Sequence, residues 1–139
     1  MKKKYYWVMA LAAFTLTGYA NDGLNPARWY KFESITDNVV KDEVAPAENG
    51  TVVGMLTQTD GRDGKALVFG KEGAYVDLNE VSLLKEKNFT LEAWINPTET
   101  SRGTILSQTM QGGGNWQLYY EKYQLKFHFN YGSGGFNLN

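Results

Sequence analysis

Trp94 lies two residues after Glu92 and four after Thr90 in the run Asn88 to Asn96 (NFTLEAWIN). In an extended chain, residues two apart share a face. That spacing sets a flat aromatic ring beside a carboxylate and a hydroxyl. Tyr119 stands likewise between Gln117 and Glu121, and Lys126, His128 and Asn130 alternate through Gln124 to Tyr131 (QLKFHFNY). Aromatic platforms flanked by amides, carboxylates and imidazole are the groups that hold sugars. The candidate ligand-binding residues are therefore Trp94, Glu92, Gln117, Tyr119, His128 and Asn130. A plainer reading stays open beside this one. Strand aromatics such as Trp29, Trp94 and Trp116 commonly fill a core, and one bulge would reverse the faces. The glycine-rich stretch Gln111 to Asn115 is the best candidate for a binding loop.

Other chemistries find little material. The 139 residues include no cysteine and one histidine. That excludes a disulfide scaffold, a thiolate zinc site, a cysteine nucleophile, a diacylglyceryl anchor and a multi-histidine metal centre within this chain. His128 has no G-x-S-x-G string to serve, so it reads as a polar-face strand residue. A formal net charge of −1 offers no basic excess for phosphates, so no nucleic-acid partner is expected.

The first twenty residues read as an address. Lys2, Lys3 and Lys4 precede a mostly apolar stretch, Tyr5 to Thr17, and Gly18 and Ala20 are the small residues of a cleavage site after Ala20. This is the pattern of a bacterial-type secretory signal peptide. The apolar run falls short of the roughly 20 residues a membrane helix needs, so no transmembrane anchor is expected after cleavage. An uncleaved anchor helix is the alternative. Residues 1–20 are set outside the fold. Residues 21–139 keep 11 basic and 15 acidic residues, a net charge of −4. A secreted, periplasmic or cell-surface product follows.

After residue 20 the pattern is one of strands. Ala27 to Glu33, Thr51 to Thr59, Gly64 to Gly70, Ala74 to Leu78, Asn88 to Asn96, Arg102 to Thr109, Asn115 to Glu121 and Gln124 to Tyr131 each read as one strand. Glu80 to Lys87 alone could make two turns of helix. Phe89, Leu91, Ala93 and Ile95 form an apolar stripe, as do Trp116, Leu118 and Tyr120, and Leu125, Phe127, Phe129 and Tyr131. Lys122-Tyr123 is a tight hairpin connection. Some eight strands punctuated by turns, without a βαβ rhythm, predict an antiparallel sandwich or barrel.

The order of certain blocks is more specific. Trp29 to Glu33 (WYKFE) is followed by the acidic loop Lys41-Asp42-Glu43 to Glu48-Asn49-Gly50. Gly61 to Gly70 (GRDGKALVFG), Gly73 to Leu78 (GAYVDL), Phe89 to Ile95 (FTLEAWI) and Gly103 to Ser107 (GTILS) come next. From about Ala27 onward the chain resembles a LamG-like jelly roll of the concanavalin A-like lectin/glucanase superfamily. The resemblance implies an all-β fold, an antiparallel β-sandwich. Such domains run to roughly 150–200 residues, so residues 21–139 are expected to be an N-terminal portion, incomplete at the C-terminus. A portion with open edges is expected to be poorly soluble or oligomeric.

The resemblance also frames the chemistry. Its glucanase branch carries catalytic carboxylates at alternate positions of one strand, E-x-D-x-E or E-x-D-x-x-E, and no such string occurs here. Glu92 and Asp77 each stand alone, so no hydrolase activity is expected. Relatives imply a structural calcium ion held by an acidic loop, with Asp42 and Asn49 as the ligands in this chain. A solvated acidic loop is the alternative, and no C-terminal acidic partner is evident. The expected role is an exported non-catalytic module that binds a glycan or glycoconjugate, with fusion to further domains in view. A protein-adhesion module without a sugar site, or an appendage of a larger glycoside hydrolase, are the alternatives.

Overall fold

Two pairs of neighbouring residues with positive φ make tight reversals. Asp37 (52°) and Asn38 (62°) join strand β2 (Ile35–Thr36) to β3 (Val39–Val40). Lys122 (50°) and Tyr123 (64°) join β10 (Asn115–Glu121) to β11 (Gln124–Tyr131). Two successive left-handed residues give a type I′ turn, whose twist matches that of the flanking strands. The computed structural model describes residues 7–15, 26, 28–44, 46–70, 73–79, 90–97, 102–109, 115–131 and 134–138. Every regular element among them is a strand, and every ladder is antiparallel. The all-β, antiparallel class expected from the sequence is the class observed. The helix candidate Glu80 to Lys87 and the loop Gln111 to Gly114 lie outside the described residues.

The chain divides into two compact units, Met1–Asn96 and Pro97–Asn139. The first carries two four-stranded sheets. One has the order β5 (Thr57–Asp60), β6 (Lys65–Phe69), β1 (Trp7–Thr15), β8 (Thr90–Asn96). The other has the order β2, β3, β4 (Gly50–Val53), β7 (Tyr75–Asp77). Tyr30, Phe32, Val40, Val52, Ala66, Leu67 and Val68 are buried in this unit. Each full burial of a large apolar side chain contributes about 1.5–3 kcal/mol.

Two expectations change here. Thr51 to Thr59 is not one strand but two, β4 and β5, in different sheets. Gly54 makes the break with φ 80°, and a Cβ there would lie 3.1 Å from Ala74 Cα. Ala27 to Glu33 is not a ladder strand. Phe32 turns left-handed at φ 61°, and Trp29 spends its backbone groups on the acidic loop, its N–H on Asp42 and its carbonyl on the Glu43 N–H. Residues 7–15, which the leader reading sets outside the fold, form β1 between β6 and β8.

The second unit is a single sheet of order β12 (Gly134–Leu138), β11, β10, β9 (Gly103–Thr109), each strand beside its neighbour in sequence. Trp116 faces Phe129, Leu118 faces Phe127 and Tyr120 faces Leu125, so the two expected apolar stripes share one side of the β10–β11 pair. Trp116 is buried, stacks on Phe127 at 6.0 Å between centroids, and donates its indole N–H to Gln108 Oε1 at 3.1 Å. Gln108 thereby satisfies the one polar atom the indole brings into the core.

Candidate functional site

The opposite side of β10 and β11 collects polar groups because the register leaves it no choice. Gln117 is the Cα partner of His128, Tyr119 of Lys126, Glu121 of Gln124 and Asn115 of Asn130. Gln117, Tyr119, His128 and Asn130 therefore share one face, and all four are half-buried. The β9 ladder adds Ser107 opposite Gln117 and then slips, so that Thr104 pairs with Tyr119 and Ile105 is the extra residue of a bulge. Just before β9, Arg102 lays its guanidinium 4.1 Å from the centre of the Tyr119 ring and donates from Nη2 to Gln117 Oε1 at 2.5 Å. One cation thus holds both an aromatic and an amide, which restricts their rotamers. Beyond Tyr119, Lys126 Nζ pairs with Glu121 Oε2 at 3.0 Å, and that hydrogen bond holds the Glu121 carboxyl below its ordinary pKa. The outcome is a strip of amide, phenol, imidazole and a second amide, closed at one end by an ion pair.

Glu92 and Trp94 belong to the first unit and form their own patch. Along β8 the half-buried residues Leu91, Ala93 and Ile95 alternate with exposed Glu92, Trp94 and Asn96, as the spacing predicts. Trp94 is 52% exposed, and the guanidinium of Arg62 lies 4.1 Å from its ring centre. Arg62 comes from the Gly61–Gly64 turn between β5 and β6, closed by the Gly61 N–H on the Gly64 carbonyl at 2.8 Å. Trp94 is not a core residue. It is a surface ring with one face engaged by a cation.

The acidic loop is organised around Asp42, which is 1% exposed. Asp42 Oδ1 accepts the N–H groups of Trp29 and Val44, both at 3.0 Å, and Oδ2 accepts that of Glu48 at 3.1 Å. Arg28 Nε lies 3.6 Å from Oδ2, and Arg28 Nη2 pairs with Glu48 Oε1. Asn49 Oδ1 accepts the Asp42 N–H at 3.1 Å. Calcium wants six to eight oxygen ligands with free lone pairs. Here the oxygens of Asp42 and Asn49 are aimed at N–H donors, with a guanidinium alongside. The residues present do not fit calcium, and the Asp42/Asn49 pair is corrected to a loop staple. Among the described residues, no group of three or more His, Cys, Asp or Glu gathers where an ion could sit.

A family model described as the concanavalin A-like lectin/glucanases superfamily matches residues 69–139. The chain belongs to that superfamily. The match takes in β7, β8 and the whole polar strip of β9 to β12. The superfamily's description covers lectins and glucanases alike, so it leaves the choice between binding and hydrolysis to the residues. No curated protein and no solved structure matches the chain.

Two residues of these patches were not foreseen. Arg102 reaches Tyr119 and Gln117 only because β9 pairs with β10 through a bulge, and nothing in the spacing of Arg102 announces one. Arg62 reaches Trp94 from a turn two strands away in the sheet. The G-R-D-G string marks the turn but not its neighbour.

Proposed function

We propose that this chain is an exported, non-catalytic module that binds a carbohydrate or glycoconjugate on the polar strip of β10 and β11. The supporting observation is the Arg102 clamp on Tyr119 and Gln117, beside His128 and Asn130. It presents an ordered ring with hydrogen-bonding groups on both sides, at strand spacings of about 5–7 Å. Preorganised side chains lose less entropy when a hydroxyl-rich ligand arrives. The isolated carboxylates Glu92 and Asp77 support the non-catalytic reading, since glycoside hydrolysis divides two roles between two carboxyl groups. Export rests on the leader pattern of residues 1–20.

Glycan-array screening followed by titration calorimetry tests the reading. Tyr119→Ala and Gln117→Ala are expected to weaken the best glycan about tenfold or more, with an unchanged far-ultraviolet spectrum. Absence of any glycan binder, or full affinity in both variants, refutes it. One observation favours a protein-adhesion reading instead. Tyr123 and Leu125, at the β10–β11 turn, are 78% and 56% exposed. An array without binders, together with a pulled-down protein lost on Leu125→Asp, would select that reading.

A further inference from the structure

The bases of the second unit gather at one end of its polar strip. From Arg102 to Leu138 the chain has three basic residues, Arg102, Lys122 and Lys126, and one acidic residue, Glu121. The Lys126 hydrogen bond first, and then the charges of Lys126, Lys122 and Arg102, hold the Glu121 carboxyl below its ordinary pKa against the opposing effect of desolvation. All three bases therefore stand within electrostatic reach of one carboxylate. Lys126 is matched to it at 3.0 Å. Arg102 is not. Its partners are the Tyr119 ring and Gln117 Oε1, and no carboxylate pairs with it among the described residues. A chain with a formal net charge of −1 thus keeps an unmatched positive charge on this strip.

The way Arg102 is held matters as much as its charge. A guanidinium carries five N–H donors in a planar fork, and one of them is used on Gln117. Arg102 is exposed, and its other N–H groups have no acceptor among the described residues. An exposed arginine ordinarily samples many rotamers, whereas this one lies against an aromatic ring and is tied to an amide. Much of the ordering cost of gripping an anion is therefore met before the anion arrives. The guanidinium also covers one side of the Tyr119 ring. A ligand on that side meets a cation and not a bare aromatic platform.

We infer, on the reading of the strip as a glycan site, that the glycan it takes is acidic: a uronate sugar whose carboxylate sits on the Arg102 fork while its hydroxyls meet Gln117, His128 and Asn130. A planar carboxylate meets a planar fork with two parallel charge-assisted hydrogen bonds. One unmatched cation among neutral amides suits one carboxylate among many hydroxyls. A densely sulfated polyanion calls for a run of bases, and the sequence from Arg102 to Leu138 has none.

The test is calorimetric titration of the whole chain with paired probes. Oligosaccharides of glucuronate, galacturonate and mannuronate are each set against their carboxyl-reduced counterparts, which keep the ring hydroxyls and linkages and lose the charge. At low salt one uronate is expected to bind about tenfold or more tightly than its reduced form, and the difference should shrink as salt is raised. Arg102→Gln should abolish the difference. Arg102→Lys, which keeps the charge but not the fork, should retain only part of it. The paired probes need no variant, so they decide the matter even where a variant misfolds. A reduced or other neutral sugar that binds as well as the uronates, with binding lost in Tyr119→Ala, would overturn the acidic preference and leave the glycan site standing. So would a preference that survives Arg102→Gln, or a sulfated oligosaccharide without carboxylates that binds more tightly than any uronate. Failure of every probe, charged and neutral, would remove the glycan site and the preference together.

Discussion

Three backbone N–H groups converge on the carboxylate of Asp42. Removing the carboxylate strands all three and leaves Arg28 beside a hole. Asp42→Ala is therefore expected to cost about 3–5 kcal/mol in urea unfolding. Tyr30, also buried, donates its hydroxyl to the Glu48 carbonyl at 2.7 Å. Burial, and then the charge of Asp42, push its pKa from 10.0 to about 12. The folded state thus keeps a proton that the unfolded chain releases above pH 10. The stabilisation is complete below pH 10 and is lost as pH rises toward 12, on the order of 2 kcal/mol in all. Thermal melts from pH 9 to 12 should show this loss, and Tyr30→Phe should lack that component. The resemblance singled out Asp42 and Asn49 as oxygen ligands for an ion. It did not tell that their partners would be N–H groups, because those of residues 29, 44 and 48 reach Asp42, and that of Asp42 reaches Asn49, only once the loop has closed. The clean alternation of β8 put Trp94 on the polar side, but a core place stayed open for it in the sequence, and its exposure of 52% decides between the two.

The elements differ in how much of themselves they announce. The β10–β11 hairpin was legible because both strands alternate without interruption and one face is apolar throughout. The two-residue strands β2 and β3 were not, since no periodicity fits into two residues and their Asp37-Asn38 turn is the only signal. Thr51 to Thr59 read as one strand because Gly54 interrupts the pattern without breaking its apolar character. Both type I′ turns invite a test. Lys122 sits at φ 50°, a region asparagine enters more readily than lysine. Lys122→Asn should stabilise the protein by about 0.5–1 kcal/mol, read as a higher denaturant midpoint. Gly50 works in the opposite sense. A Cβ there would lie 2.8 Å from both Leu78 Cδ2 and Val76 Cγ1 and 3.2 Å from the Asp77 carbonyl. Gly50→Ala should cost about 1–3 kcal/mol, and a melt unchanged by it would show that β4 and β7 separate more easily than their pairing implies.

At the scale of the whole chain, superfamily membership was legible in the order of short blocks. The glycine-bounded strand, the G-x-Y-V-D-L strand and the F-T-L-E-A-W-I strand follow one another at distances that a single motif could not specify. Which strands join which sheet was not legible, since pairing depends on partners far away in sequence. With the loop oxygens of Asp42 and Asn49 spent on N–H groups, millimolar calcium and excess chelator are expected to give the same melting temperature. A calcium-dependent rise would reopen the loop as a ligand set. The two units also differ in the lengths of chain their ladders must close. In the second, each strand pairs with the next, and hairpins of that kind form on the microsecond scale. In the first, Val8 must find Asn96 and Val68, and loops of that length close late. Refolding should accordingly be heterogeneous along the chain. In pulse-labelled hydrogen exchange, Asn115–Tyr131 would gain protection early, and Thr90–Asn96 only when the remotest stretch of polypeptide had come home.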